Sequence, residues 1–238
     1  MRCSLPMPTS RPTELGEARE IDLALLIVDL SGYTAFTETH GALYASEIVL
    51  RFQRLAAASL EPGVAIINSI GDDVFCAGAD TLAVVRTALR LRDEVERQAE
   101  FPNVRTGVNR GQIVEREDQL FGAPINLTAR VAAHAVGGQI LCTEPIARAL
   151  RGIAEIEARP IGERRFRNVA RSVPVFELTR MSAAARTSVI DPVCRMQVEI
   201  NRAVATIAHA GATYHFCSLK CAGDFANAPE LYVVGGDI

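Results

Sequence analysis

The stretch Leu23-Ala24-Leu25-Leu26-Ile27-Val28-Asp29-Leu30-Ser31-Gly32-Tyr33-Thr34 decides how this chain folds. Residues 23–28 are apolar without a break, which is strand length and far short of a bilayer span. The run ends on a carboxylate, Asp29, and then turns at Ser31 and Gly32. Helical spacing follows over residues 34–59, with Phe36, Leu43, Ile48, Phe52 and Leu55 near one face, until Glu61-Pro62-Gly63 stops it. A buried strand feeding a helix through an acidic turn is the expectation.

Outward from there, apolar stretches at 64–69 and 74–77 flank Ile70-Gly71-Asp72-Asp73, which predicts a hairpin with the Gly-Asp pair at its tip. Residues 81–98 predict an amphipathic helix. Residues 104–109 and 111–116 read as a second hairpin with Gly111 near its bend. Helical spacing at 129–135, a short strand at 139–143, a short helix at 145–150 and strands at 153–158 and 173–178 complete the region. Hairpins interleaved with helices predict an α+β fold, a mainly antiparallel sheet with helices packed on it. Residues 1–20 hold three prolines and read as a disordered lead-in. Residues 181–188 read as a small-residue linker, an alanine-rich helical tail being the alternative. Residues 189–238 form a second, small α+β block that carries three of the six cysteines and two of the four histidines.

The length of 238 residues suits one medium domain plus a small one, at about 150 residues per domain. With 49% hydrophobic and 22% charged residues, disorder along the whole chain is excluded. Basic and acidic residues number 25 and 28, so no global basic field exists to hold nucleic acid or an anionic membrane. Met1-Arg2-Cys3-Ser4-Leu5-Pro6 lacks the apolar core of a secretory signal, and the expected location is cytoplasmic. Cysteines there are thiols or metal ligands rather than disulfides. Lys220 is the only lysine, which excludes a phosphate-loop lysine motif.

Asp29 at a strand end and Asp72 at a hairpin tip each read singly as a helix cap or a turn residue. Together they read as a carboxylate pair for hard divalent cations. Asp73, one residue on, is expected on the opposite strand face and is assigned to structure.

Four segments, in order, carry a resemblance over roughly residues 20–180. They are Asp29-Leu30-Ser31-Gly32-Tyr33-Thr34, Ile70-Gly71-Asp72, Gly122-Ala123-Pro124-Ile125-Asn126-Leu127-Thr128-Ala129-Arg130, and Gly162-Glu163-Arg164-Arg165-Phe166-Arg167-Asn168-Val169. They resemble the motifs of class III adenylate/guanylate cyclases. The resemblance implies a ferredoxin-like core with helices on one face of the sheet, over residues 21–180, working as a head-to-tail homodimer. It implies conversion of ATP or GTP to the 3′,5′-cyclic monophosphate and pyrophosphate at the dimer interface. Asp29 and Asp72, with the Leu30 carbonyl, would hold two Mg²⁺ or Mn²⁺. Asn126 would orient the ribose, and Arg130 of the partner would stabilise charge on the α-phosphate. Arg167 stands where the family has a phosphate-binding lysine. The base-reading lysine and aspartate are replaced by Asn68 and Gln119, with Asp118 one residue away. That leaves ATP and GTP both open, and with them an alternative: a degenerate nucleotide-binding dimer coupled to a metal-sensing tail.

In that tail, Asp191-Pro192-Val193-Cys194-Arg195-Met196 is followed by Tyr214-His215-Phe216-Cys217-Ser218-Leu219-Lys220-Cys221. The C-x-x-x-C spacing puts Cys217 and Cys221 one helical turn apart. With Cys194 they make three soft ligands suited to Zn²⁺ or Cu⁺. His215 or His209 is a candidate fourth, although packing or a surface hydrogen bond is the role expected first for either. The alternative is three small buried hydrophobes. The segment, over roughly 189–234, resembles the YHS domain, with Arg195 in place of its usual glycine. Cys76 and Cys142, inside apolar strands, are expected in the core.

Overall fold

The computed structural model describes residues 17–181 and 188–233. Cys3, most of the expected lead-in and most of the expected linker lie outside them. The elements run β1 (Arg19–Leu30), α1 (Tyr33–His40), α2 (Ala42–Ala58), β2 (Val64–Ile70), β3 (Asp73–Gly78), α3 (Thr81–Glu96) and β4 (Val104–Arg116). They continue with β5 (Gln119–Phe121), α4 (Ala123–His134), β6 (Ile140–Thr143), α5 (Glu144–Ala149), β7 (Ile156–Arg164) and β8 (Val173–Arg180). One sheet takes the order β2-β3-β1-β4-β6-β8-β7, with β5 folded back on β4. Every pairing is antiparallel except β4 with β6, where the connection passes through α4. No described helix is long and apolar enough to cross a membrane.

The unbroken apolar run in β1 is explained by burial on both faces. Ala24, Leu26, Val28 and Leu30 join the core under α1, α2, α3 and α5, with Phe36, Phe52, Leu89 and Ile146. Leu25 points the other way, to Ala77, Ile113 and Ile125. That second face is covered by α4, so helices lie on both sides of the sheet rather than one. Gly107 of β4 makes the contact: a Cβ there would lie 2.4 Å from the Ala132 amide nitrogen and 2.5 Å from the Thr128 carbonyl.

Three local expectations are corrected. Strand β1 starts at Arg19, so the lead-in is shorter than 1–20. The single helix over 34–59 is two helices, because Gly41 adopts φ 86° and its N–H closes α1 on the Thr37 carbonyl at 2.8 Å. The break resets the helical register, and Leu43 ends up exposed. The hairpin expected around Gly111 is one continuous strand. Gly111 serves packing instead of turning, since a Cβ there would meet Pro124 Cγ of α4 at 2.8 Å.

The tail holds β9 (Ser188–Ile190), β10 (Gln197–Glu199), β11 (Ala205–His209), β12 (Ala212–Phe216) and α6 (Leu219–Asn227). It does not stand apart. Val193, Cys194, Met196, Phe216, Cys221 and Phe225 share one continuous core with Phe36 and Phe101 of the larger unit. Met196 bridges to Pro102, the Gln197 N–H donates to the Phe101 carbonyl at 3.0 Å, and its side-chain amide donates to the Glu96 carbonyl at 3.1 Å. A block of this size buries little by itself, and docking supplies the missing apolar contact.

Candidate active site and metal centre

Asp29 is nearly fully buried at the end of β1. In the two ladders it faces Asp73 on one side and Arg105 on the other. The Arg105 guanidinium donates to its carboxylate. The Leu30 N–H donates to the Asp72 carbonyl at 3.3 Å, which fastens the β2–β3 tip to the end of β1. Burial pushes the Asp29 carboxyl up to about 7 against the pull of Arg105, and a hydrogen bond with Asp72 adds to the rise. The backbone bond from Leu30 to Asp72 makes the two expected carboxylates neighbours at the end of β1, where an ionised Asp29 is costly without a counter-charge. Arg105 is a member of this group that no local pattern in the sequence marks.

Asp73 departs from expectation. It stands directly opposite Asp29, and residues opposed in a ladder share a face. Asp72 sits in the turn, where strand alternation does not separate the two. Asp73 lines the same cavity of about 390 Å³ as Asp29, Asn68, Phe75 and Arg105, and burial raises its carboxyl as well, with the Asp72 charge adding to it.

Asn126 and Arg130 lie four residues apart on α4, along a flank that borders a second cavity of about 740 Å³ with Asn109, Arg110 and Asn168. The other flank of α4 turns Ala129, Ala132 and Ala133 toward the Asp29 cavity. Within one chain, then, the carboxylates and the Asn126–Arg130 pair occupy different cavities on either side of one helix. Asn109, not singled out from the sequence, anchors that helix. Its buried amide donates to the Pro124 carbonyl at 3.1 Å and accepts from the Thr143 hydroxyl at 2.6 Å. Arg167 is exposed in the β7–β8 connection, beside Asn168 of the second cavity. Asn68 is in the carboxylate cavity and Gln119 is on the exposed hairpin strand β5, so they are not brought together in one chain. Asp118 is not on a strand: with Glu117 it forms the left-handed β4–β5 turn, at φ 58° and 51°.

In the tail, Asp191 is fully buried and organises the cysteines. It accepts the N–H groups of Val193 at 2.9 Å and Cys194 at 3.4 Å on one oxygen, and of Cys217 at 2.8 Å on the other. The two cysteine loops are thereby drawn together. The Sγ atoms of Cys194 and Cys217 lie 3.4 Å apart, and those of Cys217 and Cys221 lie 3.7 Å apart. Ser218 caps α6, accepting the Cys221 N–H at 3.1 Å. Hydrogen bonds with Cys194 and Cys217 hold the Cys221 thiol down to about 2, while hydrogen bonds with Cys217 and Cys221, and burial, push the Cys194 thiol up. Neither candidate histidine joins them; each takes the hydrogen-bonding or packing role expected first. His215 Nδ1 is 3.2 Å from the Thr206 hydroxyl, and His209 packs edge-on to Phe225. The ring that does reach the sulfurs is His40 of α1: its nitrogen and the three Sγ atoms lie within 4.8 Å of one another. Cys76 and Cys142 are core residues, as expected, with burial pushing both thiols up to about 12.

The position where Arg195 replaces glycine has φ 65°, the left-handed region. Its side chain lies on Gly32, where a Cβ would come within 2.2 Å of Arg195 Cγ, and Gly32 itself has φ 76°. Replacing Gly32 with Ala is expected to cost about 1 to 3 kcal/mol from the backbone alone, plus the clash. In the Gly32→Ala, Arg195→Gly double variant the clash term should vanish, so the pair should be non-additive in urea unfolding. Strict additivity would show that Arg195 does not rest on this loop.

Comparison with known proteins follows this division. Residues 189–235 match the YHS domain. Over 173 residues, 71% of this chain and 43% of the relative, the chain is 31% identical to a pH-sensitive adenylate cyclase of Mycobacterium tuberculosis. Fifty residues, 21% of the chain and 6% of the relative, are 44% identical to a copper-transporting P-type ATPase of Rhizobium leguminosarum bv. viciae. The chain spans less than half the length of the curated cyclases it matches. Among solved structures, the adenylyl cyclase CyaB from P. aeruginosa superposes with TM-score 0.62 at 17% identity, covering 71% of this chain and 98% of that one. The guanylyl cyclase Cya2 gives 0.59 at 21%, covering 69% and 93%.

Proposed function

We propose that this chain, a class III cyclase fold followed by a YHS domain, is a nucleotide cyclase that converts ATP or GTP to the 3′,5′-cyclic monophosphate and pyrophosphate as a homodimer. The boundaries proposed are 21–180 for the cyclase unit, extended to Arg19 by the start of β1, and 189–238 for the tail. The observation that carries the reading is the placement of Asp29 and Asp72 together at a buried strand end, with Asn126 and Arg130 on the far flank of α4. A binding site for a base would need no such pairing of the buried Asp29 with the half-buried Asp72. Two half-sites on opposite flanks of one helix suit a composite site in which each chain contributes one half. Exposed Ile67, Ile70 and Phe121 near the two hairpin tips offer apolar surface for a partner copy.

In this reading Asp29, Asp72 and the Leu30 carbonyl hold two Mg²⁺ or Mn²⁺, which supply a more acidic ribose 3′-hydroxyl and a grip on the pyrophosphate. Asn126 orients the ribose. Arg130 lies against the α-phosphate and stabilises the charge that builds there. Arg167 binds the triphosphate tail as a planar, permanently charged donor. Cys194, Cys217 and Cys221 hold Zn²⁺ or Cu⁺ in the tail.

A second reading, a nucleotide-binding dimer without turnover, is favoured by Asn68 and Gln119. Both are amides that donate and accept, and so discriminate poorly between bases. The deciding experiment is product formation by the purified chain with ATP and GTP separately in Mn²⁺, beside Asp29→Ala. A cyclic product lost in the variant, by roughly a hundredfold or more, supports the cyclase and names the base. Bound nucleotide with no product supports the second reading.

A further inference from the structure

His40 lies more than 150 residues before the nearest cysteine of the tail and on the other unit of the protein. Its Nε2 is buried and finds no hydrogen-bond partner among the described residues. A buried ring nitrogen without a partner is costly and calls for one. Phe36, with ring centroids 4.6 Å apart, and Tyr44, at 6.0 Å, hold the imidazole in place. It is aimed at Cys194, Cys217 and Cys221, whose sulfurs are already 3.4 and 3.7 Å apart along the chain of contacts. A tetrahedron with metal–sulfur bonds of about 2.3 Å has sulfur–sulfur edges of about 3.8 Å, so the sulfurs stand close to liganding distance.

We propose that His40 completes a Cys₃His zinc site with Cys194, Cys217 and Cys221, and that zinc there bolts α1, and with it the Asp29 turn, to the tail. The proposal rests on the reading of the three cysteines as metal ligands. The donor set decides the metal. Three thiolates and one neutral imidazole in a closed shell make a tetrahedral structural zinc site, whereas Cu⁺ is satisfied by thiolates alone and needs no His40. The site is also built from behind, since Asp191 holds the amides of Cys194 and Cys217.

The consequence lies in what His40 is attached to. It is the last residue of α1, a helix of eight residues that starts at Tyr33, three residues after Leu30. The same tail segment lays Arg195 on Gly32 and pairs Gln197 with the Phe101 carbonyl, while the Ser31 N–H is held by Asn103 at 2.7 Å. The turn that presents Asp29 and the Leu30 carbonyl is thus gripped at one end by the Arg195 side chain and at the other, through α1, by the metal. Zinc occupancy of the tail becomes a property the catalytic turn can sense.

The test uses the full chain and its His40→Ala, His40→Cys and Cys217→Ser variants. Zn²⁺ affinity is measured by competition with a chromophoric chelator, and the Co²⁺-substituted forms by visible absorption. Hydrogen exchange over residues 31–40 is followed with and without Zn²⁺, and far-UV circular dichroism checks folding. His40→Ala should weaken Zn²⁺ by roughly tenfold to a hundredfold and change the Co²⁺ spectrum. His40→Cys should restore tight tetrahedral binding. Zn²⁺ should slow exchange over 31–40 in the unaltered chain and in His40→Cys, and not in His40→Ala. Zn²⁺ bound with unchanged affinity and an unchanged Co²⁺ spectrum in His40→Ala would overturn the role of His40 while leaving the tail cysteines as ligands. A chain that takes up only Cu⁺, indifferent to His40, would overturn it too. No metal on the unaltered chain, equal to Cys217→Ser, would overturn the underlying reading of the tail itself.

Discussion

An equimolar mixture of Asp29→Ala and Arg130→Ala proteins is expected to regain about a quarter of the unaltered activity, although each variant alone is silent. The figure follows from symmetry. Random pairing makes half of the dimers mixed. In a mixed dimer one site carries both lesions and the other carries neither, so half of the dimers work at half strength. The premise is the separation of the two half-sites by α4: Ala129, Ala132 and Ala133 face the Asp29 cavity, and Asn126 and Arg130 face away from it. The measurement is cyclic product per total protein after co-refolding, or after mixing long enough for chains to exchange. If the mixture stays silent while dimers demonstrably exchange, each site is built within one chain and the composite arrangement is wrong.

Gly107→Ala is expected to be the most damaging single methyl in the larger unit. The added Cβ would meet backbone atoms of α4 at 2.4, 2.5 and 2.9 Å, and none of these can swing aside as the end of a side chain can. Helix α4 must lift from β4, at a cost of about 3 kcal/mol. The helix carries Asn126 and Arg130, so activity should fall with stability. The check is urea unfolding of Gly107→Ala against the unaltered chain, alongside product formation under native conditions. Unfolding at the same urea concentration would mean that α4 does not rest on β4 at this glycine.

The two effects differ in how far the sequence announced them. Asp29 and Asp72 were legible because each ends a local pattern, an apolar run and a turn between two strands, and such patterns are printed along the chain. Asn126 and Arg130 were marked by resemblance alone, and the structure shows only that they share one flank of α4. Gly107 was not legible, since a glycine inside a strand pattern looks the same whether it weakens the strand or admits a helix. Gly111 misled for the same reason and was read as a bend. Gly41 lay inside a helical pattern whose periodicity hid the break until its positive φ was seen. Asp73 faces Asp29 because Asp72 sits in the turn, where strand alternation does not hold.

Determined by the sequence alone were the α+β class, the antiparallel hairpin at the Gly-Asp tip, the place of Asp29 at a strand end and the three-cysteine tail. All of these are set by period, by turn chemistry or by residues within one short segment. The tertiary structure alone decided that helices cover both faces of the sheet, that Arg105 faces Asp29, that the tail shares the main core, and that His40 rather than His209 or His215 meets the cysteines. These depend on contacts between residues far apart in the chain. No local period records them, because packing, not sequence neighbourhood, brings such side chains together.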